Sequence, residues 1–289
     1  MILSDLFLPT RQNQIWSDSG MDSIEHCSDK KHFKSYPHTV EYKYNSRGFR
    51  DHEWPDDLKN AVWCLGDSFT VGLGCPLEHT WPYLLQKRQG ARTINVSMDG
   101  ASNDWIARRS LDILQQIAPD KLIIHWSHVN RREISTDQIL ARHGDQSIKE
   151  IYAVFKQTDW PDCNTMVEFQ LLPVQIQQQI LPHWSAPAYT DEERRLNYAK
   201  TTVEQDLQNL VDNITKVELH KGSTKIIHSF IPDFLPVGSD SQATINLLKK
   251  DLDICAVDHF VKLDLGRDGH HYDIITADYF VKKLAELLV

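Results

Sequence analysis

From residue 60 onward the chain alternates short apolar runs with longer stretches of helical spacing, and few folds accept that pattern. Strand-like runs fall at 61–65, 93–97, 121–126, 225–230 and 260–265. Helical spacing falls at 80–88, 103–117, 191–219, 243–252 and 274–288. Parallel neighbours need crossovers long enough to hold a helix, and right-handed crossovers cover both faces of a sheet. The expectation is an α/β chain, a three-layer α/β/α sandwich around a central parallel sheet of about five strands.

With 289 residues and 41% hydrophobic content, one large domain has enough material for a core. Residues 1–59 read as a polar N-terminal arm packed on a domain spanning 60–289. The long helix takes a start from Thr190-Asp191-Glu192-Glu193 and a stop from Lys221-Gly222. Between the third strand and that helix lies an irregular insertion at 131–189. Connections of that length beside a strand end commonly shape substrate sites, so a lid role is expected.

A net charge of −9 argues against a dedicated nucleic-acid binder, which needs a concentrated basic surface. Lys30-Lys31 and Arg131-Arg132 are short and read as solvated faces. The first eight residues include Asp5 and no basic residue, unlike a secretory signal, and no apolar run is long enough for a membrane span. Cys27, Cys64, Cys75, Cys163 and Cys255 are odd in number and form no Cys-x-x-Cys. Reduced thiols and a cytoplasmic location are therefore expected. Asn95-Val96-Ser97 and Asn213-Ile214-Thr215 match glycosylation acceptors and are read as chance.

The first strand run stops at Gly66-Asp67-Ser68, with Gly72 and Gly74 just beyond. Open α/β sheets bind ligands outside the carboxyl ends of their strands, which puts Ser68 where chemistry is done. The triplet alone also suits an ordinary turn. A phosphate-cradling loop is excluded because no Lys-Ser or Lys-Thr pair follows. Asp268-Gly269-His270-His271 supplies what a serine nucleophile needs. His271 titrates near neutrality and can take the Ser68 proton, and Asp268 can fix its tautomer. His270 reads as a spacer or substrate contact. The competing reading joins His270 and His271 to His125 or His128 around a metal, but no Glu or Cys stands at ligand spacing. No metal is expected.

These segments resemble the SGNH (GDSL-like) hydrolases, a family of esterases, lipases, thioesterases and carbohydrate acetylesterases. The likeness spans roughly residues 60–130 and 220–289. Its blocks are Gly66-Asp67-Ser68-Phe69-Thr70, Gly100 after the second strand run, and Asp268 with His271. The third block, usually Gly-x-Asn-Asp, reads Trp126-Ser127-His128-Val129-Asn130-Arg131 and lacks both the glycine and the aspartate. Tyr44-Asn45-Ser46-Arg47-Gly48-Phe49-Arg50 is similar to a lead-in segment of some subfamilies.

The resemblance implies a flavodoxin-like sandwich and hydrolysis of a small-molecule or glycan ester through an acyl-enzyme on Ser68, with sugar O-acetyl groups among the substrates. His271 is then the base and Asp268 the orienting acid. The backbone N–H groups of Ser68 and Gly100 and the Asn130 amide form the oxyanion hole, and no cofactor is implied. An acyltransferase or a non-catalytic binding module could carry the same residues. Asn130 also reads as a turn residue, with Ser127 or His128 donating in its place. Trp126, Trp160 and Trp184 read as core or lid packing before sugar stacking. The sequence sets no oligomeric state.

Overall fold

The computed structural model describes residues 6, 12–17, 22–23, 36–131 and 202–288. Nearly all of the expected insertion at 131–189, the helix start at 190–193, Trp160, Trp184, Cys27 and Cys163 lie outside the described residues. In chain order the strands and helices are β1 (Ile15–Ser17), β2 (Glu41–Lys43), β3 (Val62–Gly66), α1 (Ser68–Val71), α2 (Trp81–Gln89), β4 (Thr93–Asn95), α3 (Asn103–Gln116), β5 (Lys121–Trp126), α4 (Val203–Leu219), β6 (Lys225–Phe230), α5 (Ser241–Asp251) and α6 (Ile274–Leu287).

The main sheet is parallel, with strand order β4-β3-β5-β6. Val62 pairs with Thr93 on one side and Lys121 on the other, and Lys121 pairs with Lys225 beyond. Every residue of β3 is buried, as expected of a strand covered on both faces. The chain leaves β3 towards β4 on one side and returns to β5 on the other. This flavodoxin-like order opens a crevice at the carboxyl ends of β3 and β5. Helix α2 packs on α6, and α3 packs on α4, completing the sandwich. Trp63, Trp81, Trp105 and Trp126 are fully buried in its core. Trp126 is thus a packing residue; its Nε1 donates to His228 Nδ1 at 3.0 Å, and His228 Nε2 reaches Glu218 at 2.8 Å.

Two expectations are corrected. The run at 260–265 forms no strand; a single parallel bridge, His228 with Ala256, stands where a fifth strand would begin. Beyond it the amides of Leu263 and Asp264 donate to the Thr276 hydroxyl, so side-chain bonds replace a ladder. The long helix is not continuous from 191 either. Thr202 is extended (φ −88°, ψ 165°) and caps α4 in a reciprocal capping box with Gln205, which starts the helix at Val203.

The segment before β3 grips the domain through a buried cation, Arg50. Strands β1 and β2 pair antiparallel, and Tyr42 of β2 accepts from the Gly74 amide at 2.8 Å. Arg50 is buried, and its guanidinium donates to the carbonyls of Val71, Gly72, Cys75 and Glu41 while lying 4.1 Å over the Tyr42 ring. The lead-in segment is therefore a brace on the loop that follows α1.

Candidate active site

Glycine at position 66 lets β3 end in a tight turn, because a Cβ there would meet the Thr70 hydroxyl at 2.3 Å and the His125 carbonyl at 2.8 Å. Asp67 caps the single turn α1 by accepting from the Phe69 amide at 3.0 Å, and Gly72 closes it in the left-handed region. Ser68 is thereby the first residue of a turn at the carboxyl end of β3, with 2% exposure.

The partner loop comes from just before α6. The Gly266 amide donates to the His271 carbonyl at 2.7 Å, and Arg267 donates its amide to the Gly74 carbonyl at 2.8 Å. This docks the loop against the end of the turn that carries Ser68. Asp268 Oδ1 accepts from the amides of His270 and His271, both at 3.0 Å. Asp268 Oδ2 lies 2.5 Å from His271 Nδ1, and His271 Nε2 lies 2.7 Å from Ser68 Oγ. The carboxylate requires a proton on Nδ1, which leaves Nε2 to accept from the hydroxyl. Burial pushes Asp268 towards protonation, but the bond and charge of His271 and the two amides outweigh it, and its pKa lies below the ordinary value. Ser68, His271 and Asp268 thus form one hydrogen-bonded chain. His270 stays outside it, exposed, with its ring edge-on to His271.

After β4, the Met98 amide donates to the Gly66 carbonyl at 3.2 Å, and Gly100 turns the chain with φ +69°. After β5, the loop is organised by Asn103, whose Oδ1 accepts from the Ser127 amide and whose Nδ2 donates to the His128 carbonyl, both at 3.0 Å. Asn130 lies half-buried in that loop. In the same loop Ser127 donates to Asp67 at 2.5 Å, and His128 Nδ1 donates to the Asp233 carbonyl at 2.8 Å.

Sequence reasoning missed Asn103, Arg50 and the partners of Asp67. It also misassigned Arg131, which is no freely solvated charge but lies 3.1 Å from the buried Asp67 carboxylate. Burial would raise the Asp67 pKa; Arg131 and the Ser127 hydroxyl overcome it and hold the group below its ordinary value. Asp67 alone carried a signal, because an aspartate just before a helix start is a capping residue.

The metal reading finds no support in the position of His125. It is sealed in the core between Ser229 and Tyr272, and burial lowers its pKa to about 4, so it stays neutral. Among the described residues, no three His, Cys, Asp or Glu side chains are grouped to hold a metal ion. Cys64 and Cys75 are buried free thiols, pushed well above the usual thiol range by burial. Among the described residues, no helix is long and apolar enough to cross a membrane.

No protein-family model and no curated protein matches the chain. Solved structures do resemble it. One is a protein named TesA, 15% identical, covering 79% of this chain and 98% of that one with a TM-score of 0.45. An acetyl xylan esterase from the rumen bacterium Butyrivibrio proteoclasticus is 14% identical over 82% of this chain and 64% of that one, with a TM-score of 0.42. The psychrotrophic esterase EstA from a Pseudoalteromonas species is 12% identical over 78% of this chain and 95% of that one, with a TM-score of 0.40.

Proposed function

We propose that this chain is a serine hydrolase of the SGNH type that cleaves carboxylic esters through an acyl-enzyme on Ser68. The observation that carries the reading is the unbroken chain from Asp268 through His271 to Ser68, at 2.5 and 2.7 Å. In the first step His271 Nε2 takes the hydroxyl proton as Oγ attacks the ester carbonyl, and Asp268 steadies the imidazolium that forms. The negative charge gathering on the carbonyl oxygen is received by the Ser68 and Gly100 backbone N–H groups and the Asn130 side-chain amide. Collapse expels the alcohol, which takes the proton from His271. Water, activated by the same histidine, then releases the acid and restores Ser68. No step calls for a metal or cofactor.

A chromogenic short-chain ester, with an O-acetylated sugar beside it, tests the reading on the wild-type chain and on Ser68→Ala. Turnover in the wild type and none in the variant is expected. A variant as active as the wild type, or a wild type inert on every ester, would defeat it. Product analysis with an added alcohol acceptor separates hydrolysis from acyl transfer.

A further inference from the structure

We propose that Arg131 is a positioning residue for Ser68, acting through Asp67, which it clamps in place beneath the nucleophile turn. The inference rests on the esterase reading above. Asp67 is fully buried, and its carboxylate ties α1 to the loop after β5. One oxygen caps α1 at the Phe69 amide (3.0 Å), and the other accepts from Ser127 Oγ (2.5 Å) and from an Arg131 guanidinium nitrogen (3.1 Å). The same nitrogen lies 3.4 Å from Ser127 Oγ, which closes a three-membered network. Arg131 is itself held: its carbonyl accepts from the Asn103 amide and its amide donates to the His128 carbonyl, both at 2.9 Å. The turn after β3 and the loop after β5 therefore meet at one carboxylate, one residue from Ser68, and the start of α3 holds that loop through Asn103.

Charge makes Arg131 the decisive member. A buried carboxylate without a counter-charge is costly and escapes the cost by taking up a proton. Among the described residues, the titratable groups facing Asp67 are Arg131, His128, His125 and Tyr272. His125 is neutral, His128 spends Nδ1 on the Asp233 carbonyl, and burial keeps the Tyr272 phenol protonated. Among the described residues, Arg131 is the permanent cation in the set and the one in ion-pair contact with Asp67. Without it, Asp67 protonates at higher pH. The neutral carboxyl carries a donor and accepts only weakly from Ser127, so the clamp loosens and Ser68 drifts from the 2.7 Å contact with His271.

The test compares the full chain with Arg131→Gln, Arg131→Lys, Asp67→Asn and the double variant Arg131→Gln/Asp67→Asn. The readouts are p-nitrophenyl acetate turnover and the rate of fluorophosphonate labelling at Ser68, each across pH. For Arg131→Gln we expect kcat about tenfold down on the acidic side, approaching the wild-type rate as pH rises and Asp67 ionises, with KM within about twofold and the acidic limb of the profile about one pH unit higher. Arg131→Lys keeps the charge and the wild-type limb. Asp67→Asn imitates the protonated state, so it loses rate without moving the limb, and adding Arg131→Gln to it costs less than about twofold more. A uniform loss with an unmoved limb, or additive losses in the double variant, would overturn the clamp. Should Arg131→Gln not fold, Arg131→Lys near wild type with Asp67→Asn about tenfold slower supports the clamp, and equal rates overturn it. A wild type that neither turns over ester nor takes up the probe overturns the esterase reading, and the clamp with it.

Discussion

Replacing Gly74 by alanine should damage the proposed catalysis more than the fold, although position 74 touches no substrate in this account. Gly74 sits at φ +79°, where a Cβ is strained, and an added methyl would lie 2.9 Å from the Asp268 Cγ and Oδ1 and 3.1 Å from Oδ2. Ordinary contact begins near 3.4 Å, so something must yield by about half an ångström. The backbone of Gly74 is tied on both sides, its amide to the Tyr42 hydroxyl and its carbonyl to the Arg267 amide, each at 2.8 Å. The Asp268 carboxylate therefore gives way, and with it the 2.5 Å contact that orients His271. The left-handed backbone costs about 1–2 kcal/mol of stability. Misplacement of the base by a fraction of an ångström costs up to about a hundredfold in kcat, or roughly 2.7 kcal/mol in the barrier. Steady-state kinetics on a short-chain ester should show kcat falling with KM nearly unchanged, and urea unfolding should show the smaller stability loss. Wild-type kcat in a Gly74→Ala protein destabilised by that amount would refute the coupling of this loop to the base.

His271→Ala should lower kcat by about three or more orders of magnitude, whereas His270→Ala, whose ring lies outside the hydrogen-bonded chain, should cost far less; kinetics on the two variants side by side would expose a reversed ranking. Asn130→Ala should lower kcat about a hundredfold at unchanged KM, and Asn130→Asp more, since a carboxylate opposes the oxyanion. Unaltered kcat in both would remove Asn130 from the hole. Asp51 offers a stability test, because burial pushes its pKa from 3.8 up to about 6 against the pull of Arg92 and the Asn95 amide. A carboxyl that binds its proton more tightly when folded favours the fold most below its unfolded pKa, and that contribution is lost as pH rises through about 6. Urea unfolding from about pH 4 to about pH 7 should therefore show a loss of roughly 2 kcal/mol that Asp51→Asn lacks. Parallel curves for the two proteins would count against it.

The parts legible in the sequence were those with local causes. Strands β3, β5 and β6 are buried on both faces over nearly their whole length and so read as largely apolar runs. Asp268 and His271 stand three residues apart on one loop, a spacing that carries its own geometry. The run at 260–265 misled because Phe260 belongs to the core, stacked on His125 and Phe280, while Val261 and Leu263 face outward without a strand to pair with. The network around Asp67 was invisible for a different reason. Arg131 and Asp67 are 64 residues apart, Asn103 bonds a loop 24 and 25 residues on, and Arg50 braces carbonyls 21 to 25 residues away. Nothing in the local spacing of a buried arginine separates it from a solvated one.

The central claim is that Ser68 is a nucleophile activated by His271. Peptide mass spectrometry of the wild-type chain treated with a fluorophosphonate measures this most directly. The account predicts one adduct, on Ser68, that is absent from Ser68→Ala and formed far more slowly in His271→Ala. An adduct on another serine with Ser68 unmodified, or labelling of Ser68 at the same rate without His271, would contradict it.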